Sequence, residues 1–238
     1  MEQAQIEEAI KLHAIRTENL SPTDLLKYID KAFGNSAVLT SSLGPEDQFI
    51  TFLIAQFGLK IPIVTLDTGR LFPESYELQA STETRFNIKI EAFYPNQEEV
   101  ETYVNTHGIN AFYNSVELRK QCCFIRKVQP LKRALKNKRV WITGIRANQN
   151  DSRENLSRWE YDESNELLKV HPLLHLTDDE LDAEIKSKNI PVNPLHKKGY
   201  ASIGCAPCTR AIEENEHPRA GRWWWESDNK ECGLHTKA

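Results

Sequence analysis

Ala37-Val38-Leu39-Thr40-Ser41-Ser42-Leu43-Gly44-Pro45-Glu46-Asp47-Gln48 is the stretch from which the fold is read. Its apolar start makes a short strand, its hydroxyl- and Gly-bearing middle makes a turn, and Pro45 opens a helix rich in Phe and Ile that reaches Phe57. Strand, small polar loop and helix, in that order, present amide N–H groups and the positive end of a helix dipole to an anion. Ser41, Ser42, Gly44 and Asp47 are therefore candidate phosphate-site residues, although an ordinary strand-to-helix turn would carry the same residue types.

Downstream the alternation repeats. A second strand is expected over 61–66, ending in Asp67-Thr68-Gly69-Arg70, with Pro73 opening a helix to about Phe86. A third strand is expected over 88–93, helices over 97–107 and 123–135, and a fourth strand, Val140-Trp141-Ile142-Thr143, is closed by Gly144. This alternation specifies an α/β protein with a doubly wound, mostly parallel sheet. Ligands of such sheets bind beyond the carboxyl ends of the strands, where the loops after Thr40, Leu66 and Thr143 meet. Leu66, Asp67, Thr68 and Gly69 fall there, as do Gly144 and Arg146 in the polar loop 144–153.

Helical spacing covers 3–15, and Ser21-Pro22-Thr23-Asp24 caps a second helix through about Phe33. After the fourth strand, 160–171 reads as a hairpin turning at Glu163-Ser164-Asn165, and Thr177-Asp178-Asp179-Glu180 is a capping box for a helix that ends before Pro191. Past Glu213 apolar periodicity stops except at Trp223, Trp224 and Trp225, for which packing is the favoured role. Three parts result: a helical segment at 1–36, an α/β domain at 37–212 and a mobile C-terminal tail at 213–238.

The chain has 238 residues, 39% of them hydrophobic, enough for one substantial core. The N-terminus has no basic flank followed by an apolar run, and no stretch approaches the roughly 20 apolar residues of a membrane span. A soluble, cytoplasmic protein without membrane partners is expected. Net charge is −4, but between Arg119 and Arg139 there are nine Lys or Arg and no acidic residue. A solvated basic face and an anion site both fit such a run, and the presence of Cys122 and Cys123 within it favours the anion site.

Five cysteines in a reducing compartment argue for metal or thiol chemistry over disulfides. Cys122-Cys123 and the C-x-x-C of Cys205 and Cys208 form two close pairs, while Cys232 stands alone beside Gly233 and His235. Spacing alone leaves structural zinc and an iron–sulfur cluster both open; adjacent ligands suit a cubane better, because neighbouring thiolates can bind different irons. Cys232 then has the surroundings of an activated thiol.

Together these motifs resemble the assimilatory sulfonucleotide reductases, specifically the adenosine 5'-phosphosulfate (APS) reductases that carry a [4Fe-4S] cluster. The resemblance runs from about Ala37 to His235. It rests on Ser41-Ser42-Leu43-Gly44-Pro45-Glu46-Asp47, Leu66-Asp67-Thr68-Gly69, Cys122-Cys123-Phe124-Ile125-Arg126-Lys127, Gly204-Cys205-Ala206-Pro207-Cys208-Thr209-Arg210, Arg219-Ala220-Gly221-Arg222-Trp223-Trp224 and Glu231-Cys232-Gly233-Leu234-His235. The resemblance implies a sheet of the adenine nucleotide alpha hydrolase-like type and one [4Fe-4S] cluster per chain on Cys122, Cys123, Cys205 and Cys208. It implies Cys232 as nucleophile, the loops after the strands as nucleotide site, and Lys127, Arg219, Arg222 and His235 as a cationic cradle for the sulfate. One departure is Ala147-Asn148 after Arg146, where many relatives have a second basic residue.

The implied reaction is reduction of APS to sulfite and AMP in sulfate assimilation, through an S-sulfonate on Cys232 released by thioredoxin or a glutaredoxin-like dithiol. A homo-oligomer is expected and a nucleic-acid partner is not. The rival within the class is reduction of the 3'-phosphorylated substrate, PAPS, or of both; a rival from another class is a zinc-stapled RNA-modifying or nucleic-acid-binding module.

Overall fold

Alternate side chains of a strand face opposite sides of its sheet, so a strand buried on both faces must be apolar throughout. The strands β1 (Ala37–Ser41), β2 (Ile63–Leu66), β3 (Ile90–Phe93), β4 (Val140–Ile142), β5 (Trp159–Asp162) and β6 (Leu167–Val170) meet this demand most fully at the sheet centre, where every residue of β4 is buried. The computed structural model describes residues 3–147 and 156–226, and its strands form one sheet of order β3-β2-β1-β4-β6-β5. All neighbours are parallel except the β5–β6 hairpin. Ile90, Ile63, Leu39, Ile142, Val170 and Trp159 lie in register as one row across all six strands.

That row belongs to the larger core, which takes Leu25 and Ile29 of α2 (Pro22–Phe33), Ile50 and Leu53 of α3 (Pro45–Gln56), Leu78 of α4 (Pro73–Phe86) and Leu181 of α8 (Asp178–Ser187). Val38, Val64, Trp141 and Leu167 point the other way and pack with Leu131, Ala134 and Leu135 of α7 (Gln129–Leu135). The sheet is therefore doubly wound, as expected. Each large aliphatic side chain so buried contributes about 1.5–3 kcal/mol. Helix α1 (Gln3–Thr17) covers the β5 edge: Thr17 Oγ1 accepts from Trp159 Nε1 at 2.9 Å, and the His13 ring stacks on Trp159 at 4.9 Å between centroids. Among the described residues no helix is long and apolar enough to cross a membrane.

Several boundaries differ from expectation, each for a local reason. β2 starts at Ile63 and not Ile61, because Pro62 has no N–H for the ladder and offers only its carbonyl, to Leu39 N at 2.9 Å. β3 starts at Ile90 and not Ile88, because Ile88 N closes the end of α4 on Glu83 O. The helix expected over 123–135 begins earlier. Ser115 caps α6 (Val116–Cys123), its side chain accepting from Leu118 N, and a π turn (Phe124–Val128) joins α6 to α7. The 160–171 hairpin and the Thr177–Glu180 capping box form where the sequence places them.

Sheet order reverses at β1, which has β2 on one side and β4 on the other. At such a switch point the following loops diverge and leave a crevice above the carboxyl ends.

Candidate active site

The crevice is built first by Asp47. Its carboxylate accepts from Ser42 N at 2.6 Å and Ser42 Oγ at 2.7 Å, and from the backbone N–H of Gly144, so one side chain holds the loops after β1 and β4 together. Burial pushes the Asp47 carboxyl up to about 6 even though these donors pull it down. Gly144 is required by contact: a Cβ there would overlap Asp47 Oδ1 and lie 2.8 Å from Glu46 Cβ. Leu43, at the turn, has φ 62, a left-handed conformation uncommon for a leucine, with its N–H on Ser41 Oγ at 3.1 Å. Arg146 is buried and committed to protein partners, with Glu46 at 2.8 Å, Asp178 at 2.6 Å and Leu176 O at 3.2 Å. It fastens the loop after β4 to the starts of α3 and α8.

The loop after β2 leads from the nucleotide crevice to the cysteines. Asp67 Oδ1 accepts from Gly69 N at 2.8 Å and Tyr76 Oη at 2.9 Å, which turns the chain so that Thr68 faces inward. Thr68 Oγ1 lies 3.3 Å from Cys205 Sγ, and Thr68 O accepts from Arg126 Nη1 at 2.6 Å. Arg70 continues the link, its carbonyl accepting from Ala206 N at 2.8 Å and its guanidinium lying over the Phe112 ring.

Cys122, Cys123, Cys205 and Cys208 converge in one basin, all buried and none in a disulfide. Arg70, Phe112, Arg119, Arg126, Lys127 and Pro207 complete its wall. Burial alone would raise the Cys205 thiol, but the charges of Lys127, Arg222 and Arg126 and the Thr68 hydrogen bond outweigh it, and the thiol is lowered. Cys208 is pushed up to about 12 by burial and by the neighbouring Cys205 and Cys123. Four thiols that repel one another as anions need a multivalent cationic centre. Four buried thiols around one basin match the demand of a four-iron cube, which takes one thiolate at each iron. Trp223 Nε1, buried in the same apolar cluster, has no hydrogen-bond partner among the described residues, a want that sulfide or thiolate sulfur would meet. The donor set fits a [4Fe-4S] cluster.

The tail enters the basin through Trp223. Arg222 bridges to Thr209 and lies over the Trp223 ring at 4.7 Å; the absence of a side chain at Gly204 leaves room for its guanidinium. Trp223 is 1% exposed and Trp225 half-buried, as the packing role requires, but Trp224 stays 39% exposed beside Tyr113. Arg219 is half-buried, two residues from His217, whose Nδ1 accepts its N–H. Cys232, His235 and the tail beyond Glu226 lie outside the described residues, as do Asn148 and Arg153.

Ser42, Gly44, Asp47 and Gly144 thus form one group and Thr68, Lys127, Arg222 and the four cysteines another, joined by 66–70. Arg126, Arg70, Arg119 and Glu226 are not among the candidates named from the sequence. For the first and third, the basic run was the available sign.

The model of the phosphoadenosine phosphosulfate reductase domain matches residues 36–211. An adenosine 5'-phosphosulfate reductase of Agrobacterium fabrum is 49% identical over 204 residues, covering 85% of this chain and 78% of that one. One from Allochromatium vinosum is 43% identical over 230 residues, covering 96% and 90%. Among solved structures, a phosphoadenylyl-sulfate (PAPS) reductase from Candida auris in a phosphate complex superposes with a TM-score of 0.72 at 26% identity, covering 87% of this chain and 97% of that one.

Proposed function

Because the chain belongs to the phosphoadenosine phosphosulfate reductase domain family, we propose that it acts on adenosine 5'-phosphosulfate, as the two relatives above are named to do, and reduces it to sulfite and AMP in sulfate assimilation. The observation that carries this reading is Thr68, where the loop after β2 meets the four-thiol basin, its Oγ1 lying 3.3 Å from Cys205 Sγ. A substrate whose nucleotide lies in the crevice and whose sulfate reaches toward the basin would span that junction.

The nucleotide is held by the loops of Ser41, Ser42, Gly44 and Asp47, of Leu66 to Gly69, and of Gly144, with Arg146 bracing the last of them. Lys127, Arg219, Arg222 and His235 offer cations to the sulfate oxygens, where a dry site makes each charge count most. The Cys232 thiolate attacks the sulfate sulfur; an S–S bond forms, the S–O bond to the nucleotide breaks, and AMP leaves with the electron pair. A dithiol protein of thioredoxin or glutaredoxin type then attacks Cys232 Sγ. Sulfite departs with the S–S electron pair, and the second thiol of the donor resolves the mixed disulfide, so both electrons come from the donor. A [4Fe-4S] cluster, one per chain, would be held by Cys122, Cys123, Cys205 and Cys208; when bound it supplies a rigid cross-link between α6 and the 205–208 turn and a fixed field beside the sulfate.

The test uses Cys232→Ser and the four single Cys→Ser variants of the basin. Cys232→Ser keeps its iron and binds APS yet forms no S-sulfonate and no sulfite; each basin variant loses iron, acid-labile sulfide and sulfite production together. A zinc-containing, iron-free wild type, or turnover by Cys232→Ser, sinks the reading. Assays with PAPS in place of APS decide the second reading, which the Candida auris likeness keeps in view. A homo-oligomer, proposed with this function, is checked by light scattering.

A further inference from the structure

One buried ion pair has no part in the chemistry above. Arg119, 1% exposed, donates from Nε to Glu226 Oε1 at 2.9 Å and from Nη2 to Glu226 Oε2 at 2.6 Å. The two residues are 107 apart in the chain, and the Glu226 carboxyl side chain is only 4% exposed. The guanidinium lies over the Trp223 ring at 4.8 Å, as a second guanidinium, that of Arg222, does at 4.7 Å. It also hydrogen-bonds the Cys123 thiol, one helical turn on along α6. A buried pair of this kind adds little net stability over apolar residues of the same shape, because desolvation offsets the attraction; its attested use is to fix one register among several. Here the register is that of Glu226, six residues before Cys232 in the sequence.

We propose that Arg119 and Glu226 are positioning residues that tie the start of the Cys232 segment to Cys123, so that the thiol-bearing helix sets the point from which the nucleophile is delivered. This rests on the reaction assigned above. The planar fork of arginine against a carboxylate fixes direction as well as distance, which a lysine or an apolar pair would not. Trp223, at φ 41, opens a turn that closes on Glu226, whose N–H donates to Trp223 O at 2.9 Å.

The test compares cluster-loaded wild type with Glu226→Gln and Glu226→Asp. In Glu226→Gln the iron content and visible cluster band stay as in wild type and AMP affinity stays within about twofold. Single-turnover S-sulfonation of Cys232 falls about 10- to 100-fold, the loss that displacement of a reacting group by about 1 Å brings. Alkylation of Cys232 by iodoacetamide changes rate at least severalfold, because the anchor of its segment is released. Glu226→Asp, which keeps the charge, recovers part of both, and it carries the comparison alone if Glu226→Gln does not fold. An unchanged S-sulfonation rate with a lowered Tm makes the pair purely structural and overturns the proposal. Equal losses in AMP affinity and S-sulfonation overturn it too. Should wild type form no S-sulfonate, the assigned reaction fails, while the alkylation comparison still decides the pair.

Discussion

Gly144→Ala puts the crevice to its severest test. Residue 144 does not have a positive φ, so alanine suffers no backbone strain there and the whole effect comes from contact. The new methyl would overlap Asp47 Oδ1 and press on Glu46 Cβ at 2.8 Å and Asp47 Cγ at 3.3 Å. Asp47 has nowhere to retreat, since Ser42 N and Oγ hold it at 2.6 and 2.7 Å. Overpacking of this kind costs about 1–3 kcal/mol, and loosening hydrogen bonds to a charged acceptor about 1.5–3 kcal/mol. A combined loss of roughly 3 kcal/mol lowers Tm by about 6–12 °C in a chain of this length. Calorimetry reads the Tm, and titration with AMP reads the crevice, where affinity falls because the loops after β1 and β4 are forced apart. The decisive arm is Gly144→Ala combined with Asp47→Ala, which removes the clashing carboxylate. The two single losses should exceed the double by at least about 1 kcal/mol. If they add within about 0.5 kcal/mol, the contact between residues 47 and 144 does not hold the crevice and the reasoning fails.

Lys127→Ala should slow S-sulfonate formation by about 100-fold while changing AMP binding little, because the cation faces the basin and not the base; equal losses in single-turnover and AMP-titration measurements would place it elsewhere. Glu160 is drawn down to about 2: burial works to raise it, but the His171 hydrogen bond and the Lys169 charge prevail. A carboxyl depressed in the folded state stabilises above its unfolded value, and that contribution is lost as pH falls from about 4.5 toward 2. Glu160→Gln should therefore flatten the acid limb of urea stability in that window, and an unaltered limb would contradict the assignment.

What the sequence disclosed followed the range over which each signal acts. Thr177 and Glu180 are three residues apart and their capping box was legible, as was the turn between β5 and β6. The cysteine pairs were legible as a set because soft donors at short spacing have few other uses. The start of α6 was missed although Ser115 marks it, because the apolar periodicity that usually draws attention to a helix is weak in Val116–Cys123. No local pattern foretold that Arg146 would be clamped by Glu46 and Asp178, or that Arg119 would find Glu226, since those partners are brought together only by the sheet. The basic run proved divided: Arg119 and Arg126 are buried at the basin, while Lys132 and Arg133 on α7, and Lys136 just past its end, are exposed.

The π turn between α6 and α7 lets one continuous helical rod serve two masters with incompatible phases. Upstream of it Cys122 and Cys123 must look into the basin; downstream Leu131 and Leu135 must look into the sheet. Each helical residue advances the azimuth by about 100°, so the wider turn at Phe124–Val128 retards one half against the other by roughly that angle. Removing a single residue there would straighten the rod into an ordinary helix and rotate either the thiols out of the basin or the leucines off the sheet. Length in this segment is thus as constrained as composition: substitutions can be absorbed side chain by side chain, but an insertion or deletion of one residue sets the four-thiol basin against the packing of the sheet.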